Sequence, residues 1–255
     1  MNKKTALITG SAKGLGKKTA IDLANEGINI VINYRNSKIK AEELAKKLRF
    51  EYNVKAMAIQ ADVSKEHDVK KMVNQIVNEM GNLDILIHNA GPFIKEKKSI
   101  VDTNYNEWSS MVDGNFKSFF NLVKEIIPIM RQNYWGRVIT IGFDQVQNLP
   151  GWVHRGVYAA AKTAAISLSK TLSREEANYG ITFNTVSPGD IFEEDKEKTI
   201  SDEENKMNPF TIPRKEYGED ISHVIKFLCE EKSSYITGTI IPVTGNHDII
   251  NKHIL

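Results

Sequence analysis

A doubly wound parallel α/β sheet of about seven strands, folded as one domain, is what this sequence predicts, on three observations. Short β-branched runs alternate with helical patterns along the whole length. Several of the runs are apolar on both faces, as in Ile28-Asn-Ile-Val-Ile32, which suits strands covered by helices on each side. The first run ends in a glycine-rich turn that opens onto a helix, the order a dinucleotide site needs. With 255 residues the chain can bury one full-sized core.

The elements follow in order. Thr5–Thr9 is the first strand, and Gly10-Ser-Ala-Lys-Gly14-Leu-Gly16 is the turn before a helix carrying Ala20, Ile21, Leu23 and Ala24. Glycines let the backbone turn tightly and approach a pyrophosphate closely, while the free N–H groups of the next helix favour an anion. The spacing is G-x-x-x-G-x-G, a departure from the commoner G-x-G-x-x-G. Ile28–Tyr34, Val54–Ala61 and Asp84–Asn89 are the next strands. Asn104 and Glu107 have the spacing of a capping box, so a long helix is expected from there to about Gln132. Its stripe of Trp108, Met111, Val112, Phe119, Leu122, Val123, Ile126 and Ile127 is broad enough for core and for an oligomer face. Arg137–Phe143, an apolar helix at Ala159–Leu172, Ile181–Ser187, a helix around Ile221–Cys229 and the strand Thr239–Val243 complete the sheet. Right-handed crossovers place ligands beyond the carboxyl ends of the strands.

Tyr158 and Lys162, four residues apart in Tyr158-Ala-Ala-Ala-Lys162, share one face of a helix. An unperturbed phenol titrates near pH ~10, and a cation within ~4–6 Å stabilises its phenolate. The pair therefore suits proton transfer to or from a carbonyl or alcohol oxygen.

Composition narrows the partners. Lys and Arg number 34 against 32 Asp and Glu, a net charge of +2 that gives no reason to invoke nucleic acid or a membrane surface. Cys229 is the only cysteine, so no intramolecular disulfide can form and a reduced, cytoplasmic setting is expected. The amino terminus begins like a secretory signal, but the glycine turn interrupts its apolar stretch after a few residues. No apolar run reaches the ~18 residues that would span a bilayer. His67, His88, His223, His247 and His253 lack metal-ligand spacing, so no metal is expected. One composition shift stands out: Glu193–Glu204 holds seven acids against two lysines, just after Pro188-Gly189. That position suits a lid over the site, spanning residues 190–210, or a solvated acidic helix.

Taken together, Thr9-Gly10-Ser-Ala-Lys-Gly14-Leu-Gly16, Asn89-Ala90-Gly91, Asn115, Tyr158-Ala-Ala-Ala-Lys162 and Pro188-Gly189 resemble the short-chain dehydrogenase/reductase family, in order and spacing from Thr5 to about Gly245. The resemblance implies a single-domain Rossmann fold over residues 1–255 and nicotinamide-dependent hydride transfer at a carbonyl or alcohol carbon. It implies that Gly10, Ser11, Lys13, Gly14, Leu15 and Gly16 cradle the pyrophosphate side of the cofactor. Asp62, with Val63, would meet the adenine; Asn89, Ala90 and Gly91 would line the ribose side; Pro188 and Gly189 would border the cofactor. Tyr158 would donate the proton, Lys162 would lower its pKa and hold the nicotinamide ribose, and Asn115 would bend its helix to bind a relay water. At the end of the second strand an NAD site usually carries an acid. Here Tyr34-Arg35-Asn36-Ser37 stands there with Lys13 nearby, and two cations with a hydroxyl suit the 2′-phosphate of NADPH.

The family normally places a serine after the fifth strand, but the segment from Gly142 to Tyr158 has no Ser or Thr. Asp144 is the nearest replacement, with Gln145 beside it, and Asp144 resembles the aspartate of pteridine reductases in this family. His154 and Arg155 are candidates to bind an anionic group of the substrate. Three readings result: an NADPH-dependent carbonyl reductase similar to 3-oxoacyl-(acyl carrier protein) reductases, a pteridine-type C=N reductase using Asp144, and an impaired NADP(H)-binding sensor or scaffold. The resemblance also implies a homotetramer or homodimer paired through Asn104–Gln132 and Val157–Tyr179. Thr244-Gly245-Asn246 replaces the usual Asp-Gly-Gly, and the tail of residues 246–255, with Ile249, Ile250, Ile254 and Leu255, is expected to rest on a neighbouring subunit.

Overall fold

Alternate residues of the first strand, Ala6 and Ile8 on one side and Leu7 on the other, belong to two different apolar clusters. That arrangement is what a sheet with helices on both faces requires. The computed structural model describes residues 3–93, 96–200 and 211–250. Seven strands, β1 (Thr5–Ile8), β2 (Asn29–Tyr34), β3 (Ala56–Gln60), β4 (Ile85–His88), β5 (Gly136–Ile141), β6 (Ile181–Pro188) and β7 (Ile240–Val243), form one sheet in the order β3-β2-β1-β4-β5-β6-β7. Every neighbouring pair is parallel. Helices α1 (Gly14–Asn25), α2 (Lys38–Tyr52) and α3 (Glu66–Met80) follow the first three strands. Next come α4 (Tyr105–Val112), α5 (Ser118–Gln132), α6 (Gly156–Glu175) and α7 (Gly218–Cys229).

Residues of α1, α2 and α7, such as Leu23, Leu48 and Ile225, pack with Ile30, Ile85 and Ile139 on one face of the sheet. Met72 and Ile76 of α3, Leu122 and Ile126 of α5 and Leu172 of α6 pack with Val31, Leu86 and Phe183 on the other. The order of strands reverses between β1 and β4, so the ends of those two strands flank a crevice. Among the described residues no helix is long and apolar enough to cross a membrane.

Three expectations change at this level. The helix expected from Asn104 to Gln132 starts as foreseen, because Glu107 N donates to the Asn104 side chain and Asn104 N to Glu107 Oε2, both at 3.0 Å. It runs on to Gln132 but carries one π-helical turn at Asp113–Lys117, around Asn115, in which Ser118 N donates to Asp113 O. The second pairing helix ends at Glu175, and Ala177–Tyr179 is a separate 3₁₀ turn. The tail does not await a neighbour: Ile249 and Ile250 are buried in their own subunit, Ile250 among Phe143, Val146, Ala159 and Ile166. An apolar pocket at the end of β5 receives them, and burial there removes the same apolar surface that a second subunit would have covered. Ile254 and Leu255 lie outside the described residues.

Part of the acidic run is structural. Glu193–Asp195 forms a 3₁₀ turn, and Asp195 is fully buried with Oδ1 accepting from Lys198 Nζ at 2.6 Å. Residues 201–210, with Asp202, Glu203 and Glu204, lie outside the described residues.

Candidate active site

Beyond the ends of β1, β2, β4, β5 and β6 lies one cleft of about 950 Å³. It is lined by nearly all of the sequence-predicted site residues, from Gly10, Lys13 and Gly14 at one end to Asp144, Tyr158 and Lys162 at the other. Ser11, Gly16, Asn115 and Gln145 are not part of its lining.

The glycine turn is built for close approach. Gly10 and Gly14 have φ of 64° and 62°, the left-handed region that glycine enters without strain. A Cβ on Gly16 would come within 2.7 Å of Asn89 Nδ2, so only glycine lets α1 start against the end of β4. Asn89 Nδ2 donates to Thr9 O at 2.9 Å, and Thr9 Oγ1 accepts from Asn89 N and Ala90 N at 3.0 and 2.9 Å. Ser11 is buried with its hydroxyl on Ile8 O, so it shapes the turn from within. The first N–H of α1 does meet an anion: Gly14 N donates to Glu197 Oε1 at 2.8 Å, while Lys17 Nζ holds Glu197 Oε2 at 2.5 Å. Glu197 thus stands at the helix N-terminus, the position at which an anion is favoured.

At the end of β2, Tyr34 is buried, Arg35 and Asn36 are exposed, and Ser37 is half-buried. These four line the cleft with the exposed Lys13. Asp62 also lines it. Burial raises its carboxyl, but Ser64, whose Oγ and N donate to Oδ1 at 2.7 and 3.1 Å, together with Arg35 and Lys65, keeps it below the usual range. Asn33, missed by sequence reasoning, accepts from Gly10 N through Oδ1 and donates to Ala61 O, tying three strand ends together.

At the other end Tyr158 stands in an aromatic enclosure. Phe93 meets its ring edge-on at 5.0 Å, and Phe143 and Trp152 each lie 6.1 Å away. Lys162, four residues on, donates from Nζ to Ile141 O at 2.8 Å and is buried. Burial drives the two groups toward their neutral forms: the phenol is pushed up to about 12 and the ammonium down to about 8. The lowered phenol pKa expected from a neighbouring cation is therefore not what the fold produces, because the Lys162 ammonium is engaged by a backbone carbonyl while apolar rings surround the phenol. His88 is likewise neutral, held down to about 3 by burial and by Lys162, with Nε2 3.0 Å from Ser118 Oγ.

Asn115 sits in the π turn. Its Nδ2 donates to Met111 O at 3.0 Å and Pro92 O at 3.1 Å, whereas its buried Oδ1 has no partner. A Cβ on Gly91 would fall 2.2 Å from that Oδ1 and 3.6 Å from Lys162 Nζ, so glycine keeps open the gap between them. An unpartnered buried acceptor beside an ammonium is a place for a water.

Asp144, and not Gln145, lines the cleft at the end of β5. Burial pushes its carboxyl up, and Oδ2 accepts from Ile249 N of the tail at 3.0 Å. Arg155 donates to Glu96 O at 2.7 Å and covers the Phe93 ring at 4.8 Å, so it braces the loop beside Tyr158. His154 is exposed at the rim. Gly189 N is shared between Val243 O and Glu216 Oε1, each at 3.0 Å. Glu216, missed from sequence, is pushed up to about 8 by burial, with Asp220, Asp190 and Asp144 adding to the effect.

A parallel sheet with a glycine turn at its switch point, and a half-buried Tyr158 beside a buried Lys162 at the other end of the cleft, is the arrangement of a nicotinamide-dependent oxidoreductase acting at a CH–OH or C=O carbon. A family model described as enoyl-(acyl carrier protein) reductase matches residues 10–245, and the chain belongs to the short-chain dehydrogenase/reductase family. It is 40% identical over 250 residues to "Putative oxidoreductase YtkK" of Bacillus subtilis, covering 97% of this chain and 98% of that one. It is 36% identical over 244 residues to 3-oxoacyl-[acyl-carrier-protein] reductase FabG of Staphylococcus epidermidis, covering 95% and 98%. A solved structure from Bacillus thuringiensis, described as a "putative 3-oxoacyl-reductase", superposes with a TM-score of 0.88 at 40% identity, covering 97% of this chain and 99% of that chain.

Proposed function

We propose that this enzyme is an NADPH-dependent reductase of a ketone of the 3-oxoacyl thioester class, with Tyr158 as the proton donor. The observation that carries the reading is the placement of Tyr158, Lys162 and the unpartnered Asn115 Oδ1 around one end of the cleft whose other end is the glycine turn. The thioester is suggested by the 3-oxoacyl relatives.

When bound, NADPH would supply the hydride to the carbonyl carbon. Lys13, Arg35 and Ser37 suit its 2′-phosphate, Gly10, Gly14 and the α1 N-terminus its pyrophosphate, and Asp62, Val63 and Asn89 to Gly91 its adenosine and ribose side. Pro188 and Gly189 border the nicotinamide end. Tyr158 Oη keeps its proton through the neutral range, donates a hydrogen bond to the substrate oxygen, and gives up that proton as the oxygen becomes an alcohol. Lys162 stabilises the phenolate left behind, a charge that the aromatic enclosure alone would penalise. Asn115 Oδ1 accepts from a water that returns a proton toward Tyr158 by way of Lys162. Lys162 also suits the nicotinamide ribose. Asp144 supports a second reading, a C=N reductase, because its carboxyl faces the same cleft.

NADPH consumption should be followed with 3-oxoacyl thioesters, simple ketones and dihydropteridines. Turnover of thioesters is expected, and Tyr158→Phe should lower kcat by about 10²–10⁴-fold with NADPH affinity near that of the parent. Turnover of dihydropteridines alone selects the C=N reading, and tight NADPH binding with no turnover selects a sensor.

A further inference from the structure

The C-terminal segment of this chain returns to the active site. After β7 the backbone enters the left-handed region at two successive residues, Gly245 (φ 57°) and Asn246 (φ 65°). Glycine and asparagine tolerate that region best, so Thr244-Gly245-Asn246 encodes a reversal. The turn is held by His247 N on Thr244 O and by Ile212 N on Gly245 O, each at 2.9 Å. It carries Ile249 and Ile250 back to the end of β5. Ile250, 3% exposed, fills the cluster against which Trp152 and Tyr158 pack. Ile249, 7% exposed, lines the cleft itself. A buried N–H outside regular structure needs a partner, and Ile249 N finds it in Asp144 Oδ2.

We infer that residues 246–250 are the wall of the substrate end of the cleft, that Asp144 is the positioning residue that latches this wall through Ile249 N–H, and that Ile249 limits the size of the apolar group beside the reacting carbonyl. The inference deepens the reductase reading of the same cleft and rests on it. It also gives the residue at the serine station a different role, which is to hold protein rather than substrate. Phe143, Trp152 and Ile249 line the cleft beside the latch, while the charged groups near Asp144 are the carboxyls of Asp248 and Glu216, so the selected feature is a compact hydrocarbon group and not an anion.

Two measurements test it on the full chain. Amide hydrogen exchange should show Ile249 protected in the parent and in Asp144→Asn, whose carboxamide oxygen can accept the same N–H, and unprotected in Asp144→Ala. Competition among 3-oxoacyl thioesters of increasing length and branching should show Ile249→Ala and Asp144→Ala shifting kcat/KM toward the bulkier members by about 10-fold or more, with the parental profile kept in Asp144→Asn. An Ile249 amide that exchanges as freely in the parent as in Asp144→Ala overturns the latch. So does a uniform loss along the series in which Asp144→Asn is as impaired as Asp144→Ala, since that assigns Asp144 to proton transfer. A parent that reduces no member of the series refutes the reductase reading, and the exchange comparison still decides the latch.

Discussion

Glu216 is a carboxyl that the fold keeps protonated at neutral pH, and the consequence for stability has a definite sign. Burial raises it from its ordinary value of 4.5 to about 8. Between those values the native state holds a proton that the unfolded chain has released. Its contribution is therefore fully present below 4.5 and lost as pH rises through about 8. The melting temperature should fall over that window, and fall less in Glu216→Gln, which keeps an acceptor for Gly189 N–H without a charge to bury. Equal falls in parent and variant would show that Glu216 titrates normally. Arg35 governs cofactor choice at the same scale. A charge-assisted hydrogen bond contributes ~1.5–3 kcal/mol, so Arg35→Ala should weaken NADPH by roughly 10–100-fold and spare NADH. Equal losses for both cofactors in a binding titration would remove Arg35 from the 2′-phosphate.

Two elements owe their form to contacts that cross the cleft. The π turn places Gly114 against Pro92, where a Cβ would come within 2.3 Å of the ring, and sets Asn115 beside Gly91. One extra residue in a helical turn thus rotates a polar side chain into the site. The segment after β6 reaches the opposite side, where Glu197 occupies Gly14 N and Lys17. If phosphate and carboxylate compete for that N–H, Glu197→Gln should tighten NADPH several-fold, on the order of the ~1 kcal/mol of an exposed ion pair. Weaker NADPH binding in this variant would mean that Glu197 assists the cofactor instead.

At the scale of the molecule, α4 and α5 leave apolar surface in water. Trp108 is 50% exposed and Phe120 49%. Ile249 and Ile250 are buried within the subunit, so the apolar surface open to association is on these helices. A homodimer or homotetramer is expected by sedimentation at micromolar concentration, and Trp108→Glu with Phe120→Glu should shift it toward monomer. A parent that sediments as a monomer refutes the assignment.

The sheet, its two-sided burial and the strand ends from which the site is built are all legible in the amino-acid order. Those follow from local rules: β-branched runs apolar on both faces, a glycine turn between strand and helix, and a capping box at Asn104. The shared face of Tyr158 and Lys162 is legible too, since it needs only helical spacing. Their ionisation is not, because the carbonyl of Ile141 and the rings of Phe93, Phe143 and Trp152 come from other segments and meet the pair only in the folded chain. The acidic run that holds Glu197 and the apolar tail that holds Ile249 are legible, but their partners, like the setting of Glu216, are not. Gly14 and Glu197 are 183 residues apart, and Asp144 and Ile249 are 105 apart. No local pattern encodes such pairings, since burial and charge at a point are sums over whatever the folded chain brings there.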